Sequence, residues 1–198
     1  MDVARTTTTQ LLRDLLDPAA VTVWEDFDGR YRPIIVGFAR RLGLADADAA
    51  DLAQETLTRF VEAYRKGRYD RDRGRLRSWI IGIAKHVVTD LRVTGAKQRQ
   101  WRGHSALDVL ADDAELTAIW DAERQAAILA SAMDELRAHS RTSGNSIRAF
   151  EMVAFEGRSA EDAATALDMT RHDVYVAKHR VTERLRAIVA RLETLFDG

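Results

Sequence analysis

Positive charge beside regular apolar stripes is the chemistry most visible in this sequence. Arg73, Arg75 and Arg77 crowd the start of a segment whose apolar residues Leu76, Trp79, Ile80, Ile83, Ala84, Val87, Val88 and Leu91 recur in steps of three and four. Lys85 and Arg92 fall off that stripe. Near the C-terminus, Arg171, His172, Tyr175, Lys178 and His179 lie on or near the side opposite a second stripe, Val174, Val181, Leu185, Ile188 and Leu192. Arg and Lys so placed reach phosphates or guanine edges, and Tyr and His reach base edges or sugars, which is nucleic-acid-binding chemistry. Bond-making chemistry has no comparable pattern. The five His are scattered and form no HExxH, and there is no GxSxG, P-loop or strand-linked GxGxxG. Asp46, Asp48 and Asp51 suit a helix start or a protein contact surface better than a metal site. No catalytic residue, metal or cofactor is expected.

Charge is sorted along the chain, although the total of −1 conceals it. Asp46 to Tyr64 holds five acids and one Arg, net −4, and Arg65 to His104 holds twelve Lys or Arg and three Asp, net +9. Ser105 to Leu136 holds eight acids and one Arg, net −7, and Arg171 to Arg191 is net +4, with six basic and two acidic residues. Two basic blocks on amphipathic helices, with an acidic block between them, are more than solvated faces require.

The elements that must carry these residues are helical. Only two Pro and eleven Gly occur in 198 residues dominated by Ala, Leu and Arg, enough chain for two small domains. The lack of Cys excludes a disulfide scaffold and a Cys-based zinc site and suits a reducing cytoplasm. The N-terminal stretch has no apolar run suited to a signal peptide or a membrane span. Helices are predicted over Gln10 to Leu16, Val21 to Leu42 (with Gly29 and Pro33 threatening its continuity), and from Gly43 to Gly67 with a stripe of Leu52, Thr56, Leu57, Phe60, Val61 and Tyr64. The basic segment around Leu76 to Arg92 follows. Residues 94–115 have little periodicity and read as a linker. Helices resume over Leu116 to Leu136 and Ile147 to Phe155. The last segment has the proportions of a helix-turn-helix, Ser159 capping its first helix with Asp162 three residues on, and Thr170 its second with Asp173 three residues on.

The segment "DLAQETL" (Asp51 to Leu57), the loop "YDRDRG" (Tyr69 to Gly74) and "LRSWIIGIAKHVVTDLR" (Leu76 to Arg92) resemble the second conserved region of bacterial RNA polymerase sigma factors. The likeness is to the extracytoplasmic-function (ECF) group of the sigma-70 family. "EGRSAEDAATALDMTRHDVYVAKHRVTERLR" resembles that group's fourth region. The resemblance implies an all-α protein of two small helical domains: a region-2 bundle over 1–93, a linker over 94–115, and a region-4 helix-turn-helix over 116–198. It implies that Asp48, Asp51, Leu52, Gln54, Glu55 and Leu57 meet the β′ clamp helices of core RNA polymerase, with the β flap a further contact of the chain. The loop Tyr69, Asp70, Arg71, Arg73 and Gly74 would accept a base flipped from the −10 element. Arg75, Arg77, Lys85, His86, Thr89 and Arg92 would hold the melting strand, and Arg171, His172, Tyr175, Lys178 and His179 would read the −35 element. Trp79, inside the apolar stripe, is assigned to the core.

Several residues depart from the group's pattern. His86 and Asp90 stand where other side chains are frequent, Asp168 where a turn Gly is usual, and Asp173 where a Thr is usual. Control in trans by an anti-sigma factor or a Ser/Thr kinase is implied, with Thr56 and Thr58 as candidate phosphorylation positions. The expected protein is a cytoplasmic, non-catalytic initiation factor whose partners are core polymerase and promoter DNA. A helix-turn-helix regulator with an N-terminal sensor or dimerisation domain is the alternative, and a protein-binding helical adaptor a third reading.

Overall fold

The computed structural model of the chain describes residues 8–17, 19, 21–70, 74–95, 112–139 and 142–196. Among the described residues there are eight helices and no strand: α1 (Thr8–Asp14), α2 (Val21–Arg41), α3 (Asp46–Arg65), α4 (Leu76–Gly95), α5 (Asp113–His139), α6 (Gly144–Ala154), α7 (Ala160–Leu167) and α8 (Arg171–Phe196). The all-α expectation holds. Two compact units divide the chain, Met1–Ala127 with Leu195–Gly198, and Ile128–Thr194. The division falls within α5, whereas the sequence reading in three segments follows motif boundaries. Most of the expected linker, residues 96–111, lies outside the described residues.

In the first unit, the apolar stripes of α2, α3 and α4 close on one another. Phe27, Ile34 and Phe38 of α2, Leu52, Leu57 and Phe60 of α3, and Ile80, Ala84 and Val88 of α4 are all removed from solvent. α2 runs through Pro33 without a break. Pro33 is exposed, and so is Gly29, whose carbonyl loses its helical partner, so water can serve that carbonyl while the buried stripe holds the helix together. Gly43 and Gly67 end α2 and α3 in the left-handed region, at φ +87° and +68°. The amide after each turns back on its helix, Leu44 to Ala39 O and Arg68 to Ala63 O.

The first half of α5 completes this core. Leu116 and Trp120 are buried in it, and the Trp120 ring meets Phe38 edge-on with centroids 6.0 Å apart. Leu195 and Phe196 also belong to this unit. The Leu195 carbonyl, an orphan acceptor at the end of a helix, accepts from the Arg30 guanidinium (2.6 Å) and the Thr8 hydroxyl (2.7 Å). The Arg30 guanidinium sits 5.3 Å from the centroid of the Phe196 ring. Its burial, the largest influence on it, lowers its pKa.

The second unit holds two apolar clusters. Ala132, Met133, Leu136, Ile147, Phe150, Val181 and Leu185 form one, and Ala149, Met152, Ala163, Ala164, Val174 and Ala177 the other. Small residues on α7 let α8 approach closely. Between them, Asp168 takes φ 51° and ψ 48°, the only non-glycine positive φ among the described residues. Aspartate tolerates this region better than most residues but still carries strain there. Asp168→Gly is expected to stabilise the second unit by roughly 0.5–1 kcal/mol, seen as a rise in its thermal unfolding midpoint.

Candidate nucleic-acid interface

The helix-turn-helix is built around two capping boxes. Ser159 accepts from the Asp162 amide (3.0 Å), and the Asp162 carboxylate accepts from the Ser159 amide (3.3 Å) and hydroxyl (2.7 Å). The arrangement repeats at the head of α8: the Thr170 hydroxyl accepts from the Asp173 amide (3.1 Å), while Asp173 accepts from the Thr170 amide (3.3 Å) and hydroxyl (2.7 Å). Both caps match the sequence expectation. The hydroxyl bond is the leading cause that holds each carboxylate below the ordinary aspartate range. A depressed folded-state pKa means that the stabilisation is fully present above the unfolded value and disappears as pH falls through the folded one. Amide protection factors, corrected for the intrinsic exchange rate, are therefore expected to fall at the starts of α7 and α8 below about pH 4. In Asp162→Asn and Asp173→Asn chains that acid-dependent step should be absent at the altered cap.

Beyond the cap, Arg171, His172, Tyr175, Lys178 and His179 are all exposed on α8, opposite the buried Val174, Ala177 and Val181. The structure thus gathers all five on the solvent face of one helix, with Tyr175 55% exposed. Asp173 is on the same helix but committed to its cap, so its carboxylate is already spoken for.

In the first unit, the candidate strand-binding residues surround α4. Tyr69 is half-buried, stacked on Trp79 with centroids 4.9 Å apart, and its hydroxyl donates to the Gly74 carbonyl at 3.4 Å. Trp79 also meets Phe60 edge-on at 5.0 Å, so it packs on the core as expected while supporting the loop's first residue. Asp70, Gly74 and Arg75 are exposed. Arg71 and Arg73 lie outside the described residues, as do the side chains of Leu91 and Arg92. His86 and Thr89 are exposed on α4, with the Thr89 hydroxyl donating to the Lys85 carbonyl at 2.9 Å.

Arg77 and Lys85 are both half-buried and paired. Arg77 donates to both Asp121 oxygens at 2.9 Å, and Lys85 donates to Asp113 at 3.0 Å. Asp90 accepts from Arg59 (2.7 Å), which also holds Glu55 (2.7 Å). Hydrogen bonds to these two acids, Asp90 first, raise the Arg59 pKa. Sequence reasoning missed Arg59, Asp113 and Asp121. The only signal for the last two was the acidic block itself, because pairing across 28 and 44 residues leaves no local pattern.

On α3, Asp51, Gln54 and Glu55 are exposed and Asp48 is half-buried, so one solvent-facing surface carries these four. Gln54 accepts from Arg32 at 2.6 Å, and Arg32 in turn holds Asp28. Leu52 and Leu57 are wholly buried, so they fix the helix on the core and offer a partner no surface. Thr56 is also wholly buried, which corrects its reading as a phosphorylation position, since a kinase cannot reach it in the folded chain. Thr58 is exposed and donates to the Gln54 carbonyl at 2.9 Å. Among the described residues, no cluster of His, Asp and Glu could hold a metal ion, and no helix is long and apolar enough to cross a membrane.

Residues 27–103, which contain α3, the Tyr69–Gly74 loop and α4, match the family model for sigma-70 region 2. The ECF RNA polymerase sigma factor SigD of Mycobacterium bovis is 32% identical over 163 residues, covering 78% of this chain and 71% of that protein. SigD of Mycobacterium tuberculosis matches with the same identity and the same coverage. No solved structure matches the chain. The likeness to SigD extends well beyond the region-2 match, and the chain belongs to the ECF group of sigma-70 family RNA polymerase sigma factors.

Proposed function

We propose that this transcription initiation factor docks on the β′ clamp helices of core RNA polymerase through the exposed Asp51, Gln54 and Glu55 and the half-buried Asp48 of α3, with the β flap as a further contact. The Tyr69–Gly74 loop and α4 take up the −10 element as it melts, and the outer face of α8 reads the −35 element. Residues 1–93, 94–115 and 116–198 act as the region-2-like, linker and region-4-like segments. The chain itself makes and breaks no bond. It works in the cytoplasm, and an anti-sigma factor or a kinase acting on Thr58 restrains it.

The observation that carries this reading is the exposed face of α8, where Arg171, His172, Tyr175, Lys178 and His179 gather on the second helix of a helix-turn-helix. Extruding a base from a stacked strand costs a few kcal/mol, offset when the base enters a snug pocket and the flanking phosphates meet basic side chains. The Tyr69–Trp79 stack holds the start of such a loop against the core. On α8, Arg171 and Lys178 offer charge to a duplex, while Tyr175 and His179 offer base-edge and sugar contacts. A net charge near zero suits a protein that approaches DNA as part of a larger enzyme.

Run-off transcription from a library of genomic fragments, with core polymerase in the presence and absence of the chain, tests the proposal. Promoter-specific transcripts that require the chain are expected. Arg171→Ala with Lys178→Ala should abolish selectivity for the −35 element while leaving core binding intact. Duplex binding without polymerase and no gain of transcription would instead favour a free-standing regulator.

A further inference from the structure

The first half of α5 carries a charge pattern that mirrors one edge of α4. Arg77 and Lys85 are eight residues apart, about 12 Å along a helix, and their partners Asp121 and Asp113 have the same separation in reverse order. The two helices therefore run antiparallel, with two ion pairs in register. A third pair, Arg41 with Glu123 at 2.9 Å, joins α5 to the end of α2. Beneath the ion pairs, Leu116 and Trp120 are sunk in the same core as α4. The side chains of Arg77 and Lys85 keep only 34% and 35% of their exposure, in contrast to the open His86 and Thr89.

We propose that Asp113 and Asp121 occupy the phosphate-binding edge of α4 in the polymerase-free protein, so that the chain's own acidic helix competes with single-stranded DNA. The inference rests on the reading of α4 as a strand-binding helix. The two carboxylates present negative charge to Arg77 and Lys85 as two phosphates of a strand with one between them would. Leu116 and Trp120 hold this stretch of α5 on the core, which keeps both acids beside Arg77 and Lys85 although the Asp113 side chain is 89% exposed. The acidic block thus has a job within its own unit: a chain without polymerase engages promoter strand with part of its basic edge already taken. The uncovered strip of Ser78, His86 and Thr89 remains open, which leaves strand binding weakened and not abolished.

The test is fluorescence anisotropy of the full-length chain with a short fluorescein-labelled DNA single strand of mixed sequence, over a range of salt concentrations. Asp113→Asn with Asp121→Asn is expected to tighten binding about five- to tenfold over the native chain. Two additional phosphate contacts should also steepen the slope of log affinity against log salt by about 1.4. Glu115→Gln with Glu193→Gln makes the same change in net charge away from these pairs and should leave both quantities near native values. Adding Arg77→Ala and Lys85→Ala to the first variant should remove the gain. If the two Asp replacements behave like the two Glu replacements, while promoter opening by the assembled holoenzyme still depends on Arg77 and Lys85, the cover is overturned and the strand-binding reading stands. If the holoenzyme is indifferent to Arg77 and Lys85, the strand-binding reading falls and the cover falls with it.

Discussion

Trp120→Ala is expected to lower the stability of the first unit by about 3–5 kcal/mol, the range for removing a large aromatic from a packed core. The ring is 1% exposed and meets Phe38 edge-on, so truncation leaves a cavity between α2 and α5 and removes an aromatic contact as well. Urea unfolding should show a reduced midpoint with little change in slope. Trp120→Phe, which keeps a ring in the site, should recover much of the loss. Because Trp120 lies one residue from Asp121, the Ala variant should also loosen the pairing at Arg77 and tighten single-strand binding, in the same direction as removal of the acids.

Arg30→Ala is the second large effect, expected at about 2–4 kcal/mol. Arg30 is 9% exposed, donates to the Leu195 carbonyl, and lies against the Phe196 ring. Truncation takes a strong donor from a buried carbonyl and a cationic face from an aromatic ring, and leaves the Thr8 hydroxyl as that carbonyl's remaining described donor. Thr8→Val, which keeps the shape but loses the hydroxyl's bonds with the Leu195 carbonyl (2.7 Å), the Tyr31 hydroxyl (3.3 Å) and the Arg30 guanidinium (3.5 Å), should cost about 1–2 kcal/mol. The order of the two denaturation midpoints checks the assignment. A larger loss for Thr8→Val than for Arg30→Ala would contradict the guanidinium as the principal partner of Leu195.

The parts of this architecture that depend on neighbouring residues were legible in the sequence. The stripes of α3, α4 and α8 match the buried residues, Gly43 and Gly67 end their helices, and Ser159–Asp162 and Thr170–Asp173 form the expected boxes, because each depends on residues a few positions apart. At Asp168 it was the family likeness, with a turn Gly usual there, that pointed to the left-handed turn the structure has. What could not be read was pairing at long separation. Arg77 with Asp121, Lys85 with Asp113 and Arg30 with Leu195 have no local signature, and an acidic block announces charge without saying where it docks. Pattern also overreached where one stripe was asked to serve two purposes. Leu52 and Leu57 stood both in the apolar stripe and on the polymerase-facing list, and burial assigns them to the core. Thr56, in the same stripe, is closed to modification by the same packing.

If α8 reads a duplex as proposed, the box at its head bears on which part of the helix does so. A helix N-terminus ordinarily offers free amides to a phosphate, which anchors the first turn on the backbone. Here the Asp173 amide is given to Thr170, and the Asp173 carboxylate adds negative charge at that end. One first-turn amide is thus taken, and the carboxylate beside it makes that end less suited to an anion. On the proposed reading, backbone anchoring would fall to Arg171 at the rim and to Lys178 two turns on, and the base edges to Tyr175 and His179, which would shift the reading head toward the middle of the helix.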